Sequence, residues 1–492
     1  MGDSATLRKE DSQSIDKSKI FNDPIHGFIE FHPLLVKIIN TRQFQRLKDI
    51  KQLGLCDYVY PGATHSRFEH ALGTSYLCGK LIDTLYELHR EERKGENIKR
   101  IEITKEERLC VKIAGLCRGL GHGPFSYFFE KVYMKKFCRK TADNADNEWK
   151  HEKASLKLFE DMLESNGELE ESFAKENLDE DHIKFIKDLI IGKDPNEEEE
   201  KVERKCLFTG HSKWFLYEIV SNKRNGIDCN KFDYIARDCA NVGVKSSFDH
   251  RRYFENICIM SIDDQLHICV RDKEVFNLYE LFHTRWSLHH RVYQHKTQAP
   301  IEDLLARAFY EVDKIMKISE AVKDMKRYTI LTDSILYDIL RNESGLQAVK
   351  NAQELIRCIE ERKIYKFCGQ TDLTSSDPCP KEDEIAQNLI DLSEEKLTKN
   401  DIFVFIVEFD FGMKNKNPVD AVRFFDKYRT ETFPIKREEV SKMMPQNFQE
   451  TYVRVYAKKP EQNEDQIQLI NEMFEKWCDN NHYPKPYVPK AL

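Results

Sequence analysis

The stretch IAGLCRGLGHGPFSYFFE, residues 113–130, constrains the fold of this chain more than any other. It is an apolar run of helical character that stops at a Gly-His-Gly-Pro turn. The run resembles a helix that offers metal ligands from its last turn, but Arg118 and Gly119 occupy that place. A guanidinium is always protonated and glycine has no side chain, so neither residue can ligate a metal. The stretch indicates either a site with unusual ligands or a site that has lost its metal.

The surrounding pattern is mostly helical from Ile20 to about Lys296. HPLLVKIINTRQFQRLKDIKQLG has apolar residues at helical spacing, with a break at Asn40–Thr41 where a second helix is expected to be capped. SRFEHALGTSYLCGKLIDTLYELH predicts a long amphipathic helix, and Thr104 with Glu107 forms a capping box before the apolar run.

The character of the chain changes toward its C-terminus. DIFVFIVEFDFGM and TYVRVYAKK are rich in β-branched and aromatic residues and predict strands. EDQIQLINEMFEKWC predicts a closing amphipathic helix. We therefore expect a mainly α fold: a disordered leader at 1–18, a helical domain at 19–300, and a C-terminal helical and mixed α/β lobe at 301–492.

Composition excludes several classes of protein. Hydrophobic residues make up 40% and charged residues 33%, which is typical of a soluble globular chain. The net charge of -8 means that a polyanion can be held only by local basic clusters. No apolar run approaches a membrane span and the N-terminus is polar, so we expect an intracellular protein of the nucleus or cytoplasm without a membrane partner. Fourteen cysteines without a Cys-x-x-Cys pair predict free thiols.

Four passages, taken in order, carry a family resemblance. They are NDPIHGFIEFHPLL (22–35), YPGATHSRFEHALG (60–73), GLGHGPFSYFFE (119–130) and SNKRNGIDCNKFDYIARDC (221–239). The chain resembles the sterile-alpha-motif-and-HD-domain dNTP triphosphohydrolases from about Lys19 to about Pro486. The sterile-alpha-motif domain that precedes the HD region in that family has no counterpart in these residues. The resemblance identifies residues 19–300 as an HD-type helical domain.

The resemblance also implies a metal-ligand set, and this chain departs from it. The family holds a divalent metal with a His, a His-Asp doublet and a distant Asp. Here the first histidine is His70, the doublet is Arg118-Gly119, and Asn230 stands at the distant position. Two carboxylates are lost and one guanidinium is gained, and each unit of like charge near a dication costs on the order of 4 kcal/mol. We expect no tightly bound metal at this site, although Mg²⁺ can accompany a bound nucleoside triphosphate.

Other active-site positions of the family are largely present. His122 and His151 match its catalytic histidines, whereas Tyr127 replaces a further histidine and Glu130 replaces an aspartate. The resemblance implies that the substrate contacts are Gln52, Leu53, Arg67, Arg118, Lys231, Tyr234, Asp238, Arg285, Tyr293 and Gln294. Arg118 has two interpretations: a guanidinium that neighbouring Asp or Glu residues satisfy, or one that grips phosphates where the metal would lie.

The family is activated when GTP and a dNTP bridge its subunits into a tetramer, and the matching positions are mostly basic or amide side chains. They are Lys19, Asn22, Asn40, Gln45, Lys48, Val59, Tyr60, Arg67, Arg252, Arg271, Lys273, Asn277, His295, Lys296 and Lys458. Asn40 replaces an aspartate that accepts from guanine, and Lys48 replaces an arginine. An amide and an ammonium lose charge assistance and fork geometry, so we expect weaker or broader nucleotide choice.

Three functions remain open from the sequence. The first is a nucleotide-binding pseudoenzyme that takes GTP and dNTPs and forms a dimer or tetramer, or joins an active relative. The second is a working dNTP triphosphohydrolase with recruited ligands, such as His70, His122, His151 and Glu130 around a shifted metal. The third is a single-stranded nucleic-acid-binding protein, which the negative net charge makes the weakest of the three.

Overall fold

The fold was obtained as a computed structural model, and the structure describes residues 17–138, 149–193, 213–374, 378–459 and 464–488. The predicted leader, apart from its last two residues, and the acidic run at 194–205 lie outside these ranges. The predicted mainly α fold with a smaller mixed lobe is confirmed. The boundary near residue 300 stays a prediction.

Helices dominate the described residues. The α-helices are α1 (Pro33–Ile39), α2 (Arg42–Gln45), α3 (Arg67–His89), α4 (Lys105–Cys117), α5 (His151–Glu164), α6 (Gly167–Lys175), α7 (Glu180–Ile191), α8 (Tyr217–Val220), α9 (Cys229–Val242), α10 (His250–Phe254), α11 (Val275–Leu288), α12 (Gln298–Met316), α13 (Met325–Ile330), α14 (Ile335–Leu340), α15 (Gln347–Glu360), α16 (Glu382–Leu392), α17 (Arg437–Val440) and α18 (Glu464–Asn480). Wider π-type turns form at Phe128–Cys138 and His289–Tyr293.

The strands form three small sheets. They are β1 (Lys19–Asp23), β2 (Gly27–Phe31), β3 (Ile257–Ile262), β4 (Gln265–Arg271), β5 (Lys366–Asp372), β6 (Ile402–Asp410), β7 (Phe424–Phe425), β8 (Thr432–Phe433) and β9 (Gln449–Ala457). β1 and β2 form an antiparallel hairpin, β3-β4-β7-β8 form a second sheet, and β5-β9-β6 form an antiparallel third. The two long strands predicted from composition are β6 and β9.

Local sequence explains where the helices that carry the site begin. Ser66 and Glu69 form a capping box at the start of α3, and the predicted Thr104–Glu107 box caps α4. The predicted break at Asn40–Thr41 is also confirmed: Asn40 ends α1, and the Thr41 hydroxyl accepts the backbone N–H of Phe44 to cap α2. α3 packs against both α4 and α9, so the ends of these three helices meet.

The main hydrophobic core runs from the β1–β2 hairpin through the helical body and reaches β9 at Tyr456. A smaller core lies between the β5-β9-β6 sheet and helices α16 and α18, with Phe474 and Trp477 buried in it. The predicted amphipathic face of α18 is thus confirmed. None of the helices within the described ranges is long and apolar enough to cross a membrane.

Candidate functional site

His70, the histidine that remains of the implied ligand set, lies buried in the first turns of α3. Its Nδ1 is 2.7 Å from Asp233 Oδ2, and its Nε2 is 3.1 Å from the side-chain oxygen of Asn230. Asn230 and Asp233 belong to the same face of α9, one turn apart. Both ring nitrogens therefore face side chains of α9, which fixes the orientation of the ring.

Asp233 is the centre of a buried charge network behind His70. Arg237 donates to both of its oxygens, at 3.0 and 2.9 Å, and His26 Nε2 lies 2.6 Å from Oδ1. Arg237 also pairs with Asp23 at 2.9 Å. Burial alone would raise the pKa of Asp233, but Arg237, His26 and His70 overcome it and hold that pKa well below its usual range. The network keeps Asp233 ionised.

The same network explains one glycine of the SRFEHALG passage. A Cβ at Gly73 would lie 1.8 Å from Asp233 Oδ1 and 2.5 Å from an Arg237 nitrogen, so only glycine fits on this turn of α3. Sequence reasoning did not identify Asp23, His26, Asp233 or Arg237. The i, i+4 spacing of Asp233 and Arg237 was a signal for their pairing, but nothing local joins His26 to a helix 207 positions away.

Arg118 and Gly119 follow the last turn of α4. Arg118 Nη1 donates to the backbone oxygen of Ile190, at 2.5 Å, in the last turn of α7. A cation at a helix C-terminus is favoured by the helix dipole. Among the described residues no carboxylate pairs with Arg118, so the interpretation in which acidic neighbours satisfy it is not what the structure shows. A Cβ at Gly119 would have no atom within 4 Å.

These residues do not fit a divalent metal at the position that the family resemblance implies. His70 alone keeps a suitable arrangement, because its Nδ1 faces the Asp233 carboxylate and its Nε2 faces the ligand position at Asn230. At the other positions, Asn230 offers only a neutral oxygen and Gly119 has no side chain. The guanidinium of Arg118 adds a permanent positive charge nearby.

A second cluster lies near the implied metal position. It contains the two histidines that match the family's catalytic pair. The rings of His122 and His151 stack at 3.9 Å with an interplanar angle of 20°. His151 Nδ1 is 2.5 Å from Glu130 Oε2, and Lys131 pairs with the other Glu130 oxygen at 2.6 Å. Burial raises the pKa of Glu130, but the bonds from His151 and Lys131 outweigh it and lower that pKa to about 2. The dyad therefore holds an ionised carboxylate.

His122 itself is buried and neutral. Burial, followed by the charges of Arg67 and His151, lowers its pKa well below the usual value. Its Nδ1 is buried, and no described residue forms a hydrogen bond with it. Tyr127, which replaces a family histidine, packs its ring edge-on at 5.3 Å from His122 and 5.8 Å from His151, with the Arg67 guanidinium 5.6 Å from its centre. The tyrosine therefore covers both imidazoles with an aromatic ring.

The recruited ligand set considered from the sequence does not form one group in the described part of the chain. The side chains whose ligand atoms lie within 4.8 Å of one another are Glu130, His151 and Glu152. His70 instead faces α9, and His122 contributes a stacked ring. Glu152 was not identified from the sequence, because it follows His151 in an ordinary charged helix turn. The Nδ1–Oε2 separation of 2.5 Å between His151 and Glu130 is that of a hydrogen bond.

Several predicted substrate residues contact one another directly. Asp238 is buried, with His65 Nε2 at 2.7 Å from one oxygen and the Tyr293 hydroxyl donating at 2.5 Å to the other. Arg67 donates to the Ser126 hydroxyl at 2.7 Å. Gln52 and Gln294 each keep a buried side-chain oxygen that bonds to none of the residues the structure describes, while Leu53 and Tyr234 are half-buried. His65 and Ser126 are contacts that sequence reasoning did not identify.

Three basic residues among the predicted substrate contacts, Arg118, Lys231 and Arg285, act on one another electrostatically. Lys231 pairs with Asp228 at 3.0 Å, and Arg285 pairs with Asp410 at 2.9 Å. Burial lowers the pKa of Lys231, Asp228 opposes this, and the positive charges of Arg285 and Arg118 lower that pKa further. Arg118, Lys231 and Arg285 therefore lie within electrostatic reach of one another. Such a concentration of cations is suited to an anionic ligand.

Arg67, one of the predicted regulatory positions, is buried and donates to Ser126. The residues at the other predicted regulatory positions lie in three groups. The first is on the hairpin and the α1–α2 segment: Lys19, Asn22, Asn40, Gln45 and Lys48. The second surrounds Glu274, which contacts Arg252 at 2.7 Å and Asn277 at 3.1 Å, with Arg271 and Lys273 adjacent. The third comprises Val59, Tyr60, His295, Lys296 and Lys458 near the β5-β9-β6 sheet.

The two regulatory positions that differ from the family, Asn40 and Lys48, are exposed. Asn40 is exposed at the end of α1, and the Lys48 ammonium lies 4.9 Å from the centre of the Phe68 ring. Gln45 donates to the Ile39 carbonyl at 2.6 Å, so its amide is held beside Asn40. Asn40 and Lys48 are therefore accessible to a ligand.

His70 of α3 contacts the first turn of α9, and α3 packs against α4; this is the helical arrangement of an HD-domain protein. No protein-family model matches the chain. The chain is 42% identical to the deoxynucleoside triphosphate triphosphohydrolase SAMHD1 of Gallus gallus, over 96% of this chain and 77% of that protein. Identity to SAMHD1 of Homo sapiens is 40%, over 96% and 75%. A putative HD domain-containing protein of Acanthamoeba polyphaga mimivirus is 31% identical, over 91% and 93%. The chain belongs to the SAMHD1 family of deoxynucleoside triphosphate triphosphohydrolases.

Proposed function

We propose that this chain binds deoxynucleoside triphosphates at the HD site and hydrolyses them poorly or not at all. The observation that carries the proposal is the geometry after α4: Arg118 and Gly119 stand where the family resemblance implies ligands, and Arg118 lies within electrostatic reach of Lys231 and Arg285. The triphosphate carries several negative charges, and guanidinium groups bind phosphate oxygens bidentately. Arg118 thereby supplies the positive charge that a metal gives in the family.

The balance of charges supports binding without catalysis. Two unit charges about 4 Å apart interact with about 4 kcal/mol at the effective dielectric of a protein surface, so one guanidinium is a substantial phosphate contact. An arginine cannot generate a metal-bound hydroxide, and it cannot act as a Lewis acid on the phosphoryl oxygens. The His122–His151–Glu130 cluster remains in place, but the residues beside it do not offer the ligands for a metal that would activate water.

Metal-free binding is the direct test. We expect calorimetry with dGTP in excess EDTA to show binding, because the phosphate contacts are side-chain cations. Arg118→Ala should weaken it about tenfold, or 1.4 kcal/mol. Arg108→Ala is the matched control, since Arg108 lies on the same helix and pairs with Asp83 at 2.8 Å. Absence of dGTP binding, or equal affinity of wild type and Arg118→Ala, would remove the proposal.

The three groups of predicted regulatory positions extend the proposal to regulation. We propose that GTP and dNTPs bind at the regulatory positions and promote a dimer or tetramer, or assembly with an active relative, because polyphosphates suit the exposed Lys and Arg side chains. With Asn40 in place of an anionic acceptor, ATP and GTP should support assembly at similar concentrations, measured by sedimentation velocity. A strict requirement for GTP would contradict this reading of Asn40.

A second candidate rests on the Glu130–His151–Glu152 group. Imidazole and carboxylate are suitable ligands for a first-row metal, so a shifted ion there would restore a working triphosphohydrolase. The ion pair of Lys131 with Glu130 opposes it, because a metal would have to displace an ammonium. Metal analysis of protein purified without chelator decides the matter. A bound ion in wild type that disappears in Glu152→Gln would favour this candidate over the first.

A further inference from the structure

Arg46 lies against the backbone of the turn that carries His122. Its Nη1 donates to the backbone oxygens of Leu120 and His122, both at 2.9 Å, and its Nη2 donates to that of Leu331 at 2.8 Å. The guanidinium carbon is 4.9 Å from the centre of the Tyr328 ring. The side chain is only 3% exposed.

This burial is expensive and has no compensating ion pair. Within the described residues no carboxylate forms an ion pair with Arg46, and its Nε is buried without a partner. Asp333, which acts on Arg46 electrostatically, accepts instead from the backbone N–H groups of Lys51 and Phe125, at 2.9 and 2.6 Å. An unpaired buried charge costs several kcal/mol, and an apolar residue of similar size would be cheaper for stability alone.

The contacts show what the charge does. Tyr328 donates its hydroxyl to the Gly121 carbonyl at 2.8 Å, so Arg46 and Tyr328 together hold three consecutive carbonyl groups, at residues 120 to 122. From the other side, the Ser155 hydroxyl accepts the Gly121 N–H at 2.8 Å. The turn that carries His122 is therefore fixed through its backbone.

The side chain of His122 does not position itself. Within the described part of the chain its Nδ1 has no hydrogen-bond partner, and its aromatic contacts there are the stack on His151 and the edge of Tyr127. Stacking permits sliding and rotation in the ring plane, so the backbone must set where the ring lies. We infer that Arg46 is a positioning residue for His122, acting with Tyr328 through the carbonyls of the turn.

The alternative is that Arg46 only joins the segment at Leu331 to the helical body. Two readouts separate these roles: the ¹⁵N and ¹H resonances of the His122 imidazole, identified by their loss in His122→Gln, and the affinity for dGTP. The variants are Arg46→Lys, which keeps the charge without the planar fork, and Tyr328→Phe, which removes only the hydroxyl on Gly121. Lys213→Met is the control, because it removes a buried charge that pairs with Glu107 at 2.7 Å, away from this turn.

We expect both variants to shift the His122 resonances, and dGTP affinity to fall about tenfold in Arg46→Lys and by a smaller factor in Tyr328→Phe. Lys213→Met should lower the unfolding temperature and leave the resonances unchanged. Unchanged His122 resonances in both variants would overturn the inference. If Arg46→Lys does not fold, the His122 resonances of Tyr328→Phe alone test the inference. If the wild-type protein binds no dGTP, the His122 resonances still test the role of Arg46. A failure of the proposed function can therefore be distinguished from a failure of this inference.

Discussion

The combined change Arg118→His, Gly119→Asp and Asn230→Asp is expected to give a protein that binds one divalent metal per chain and hydrolyses dGTP at least about a hundredfold faster than wild type. Each of the three substitutions moves the site one unit toward negative charge, which reverses the repulsion of a dication. The aspartate side chain introduced at position 119 has space, because a Cβ at Gly119 meets no atom within 4 Å. Metal analysis and release of triphosphate from dGTP measure the two effects.

Single changes provide the controls for this experiment. Asn230→Asp alone places a carboxylate 3.1 Å from His70 Nε2 but leaves Arg118 in place, so we expect little metal binding from it. Firm metal binding by wild type beside His70 would contradict the argument from charge. So would a triple variant that folds, by circular dichroism, and still binds no manganese, iron or zinc.

The variant Arg237→Met is expected to lower the free energy of unfolding by about 3–5 kcal/mol, the usual cost of removing one partner from a buried ion pair. Arg237 is 1% exposed and pairs with both Asp233 and Asp23, which are themselves buried. Without it, among the described residues, Asp233 would keep only His26 and His70, and Asp23 only the backbone N–H groups of residues 25 and 26. Urea unfolding at pH 7, followed by far-UV circular dichroism, measures the loss.

The matched control is an exposed pair. Lys105, with a side chain 70% exposed, pairs with Glu176 at 2.8 Å. Lys105→Met should change the free energy of unfolding by about 0–1 kcal/mol, because water screens the pair. A loss of less than about 1 kcal/mol in Arg237→Met would show that the Asp233 network contributes little to the fold.

Sequence periodicity was sufficient for the helices that carry the site. The capping box before α4, the break after Asn40 and the amphipathic face of α18 are local signals, and each lies where it was predicted. They could be found because capping and helical spacing depend on residues within a few positions of one another. The replacement of metal ligands by Arg118 and Gly119 was also visible in the sequence, since ligand chemistry is a property of the side chain itself.

The partners of those side chains required the tertiary structure. The sequence allowed two interpretations of Arg118, one with acidic neighbours and one with a phosphate ligand. The structure shows its guanidinium bonded to a backbone carbonyl in the last turn of α7. Glu152, rather than His70, completes the group around His151 and Glu130. Asp233 and Arg46 gave no sign of their roles, because their partners lie on segments far along the chain.

The sequence by itself thus determined which residue types stand at the site, and together with the family resemblance it led to the prediction that no metal binds tightly there. Tertiary packing alone decided which charges are buried, what each of them contacts, and where the space beside Gly119 lies. The physical reason is range. Helix formation and ligand chemistry are local, whereas burial and long-range hydrogen bonds depend on segments that meet only in the folded protein.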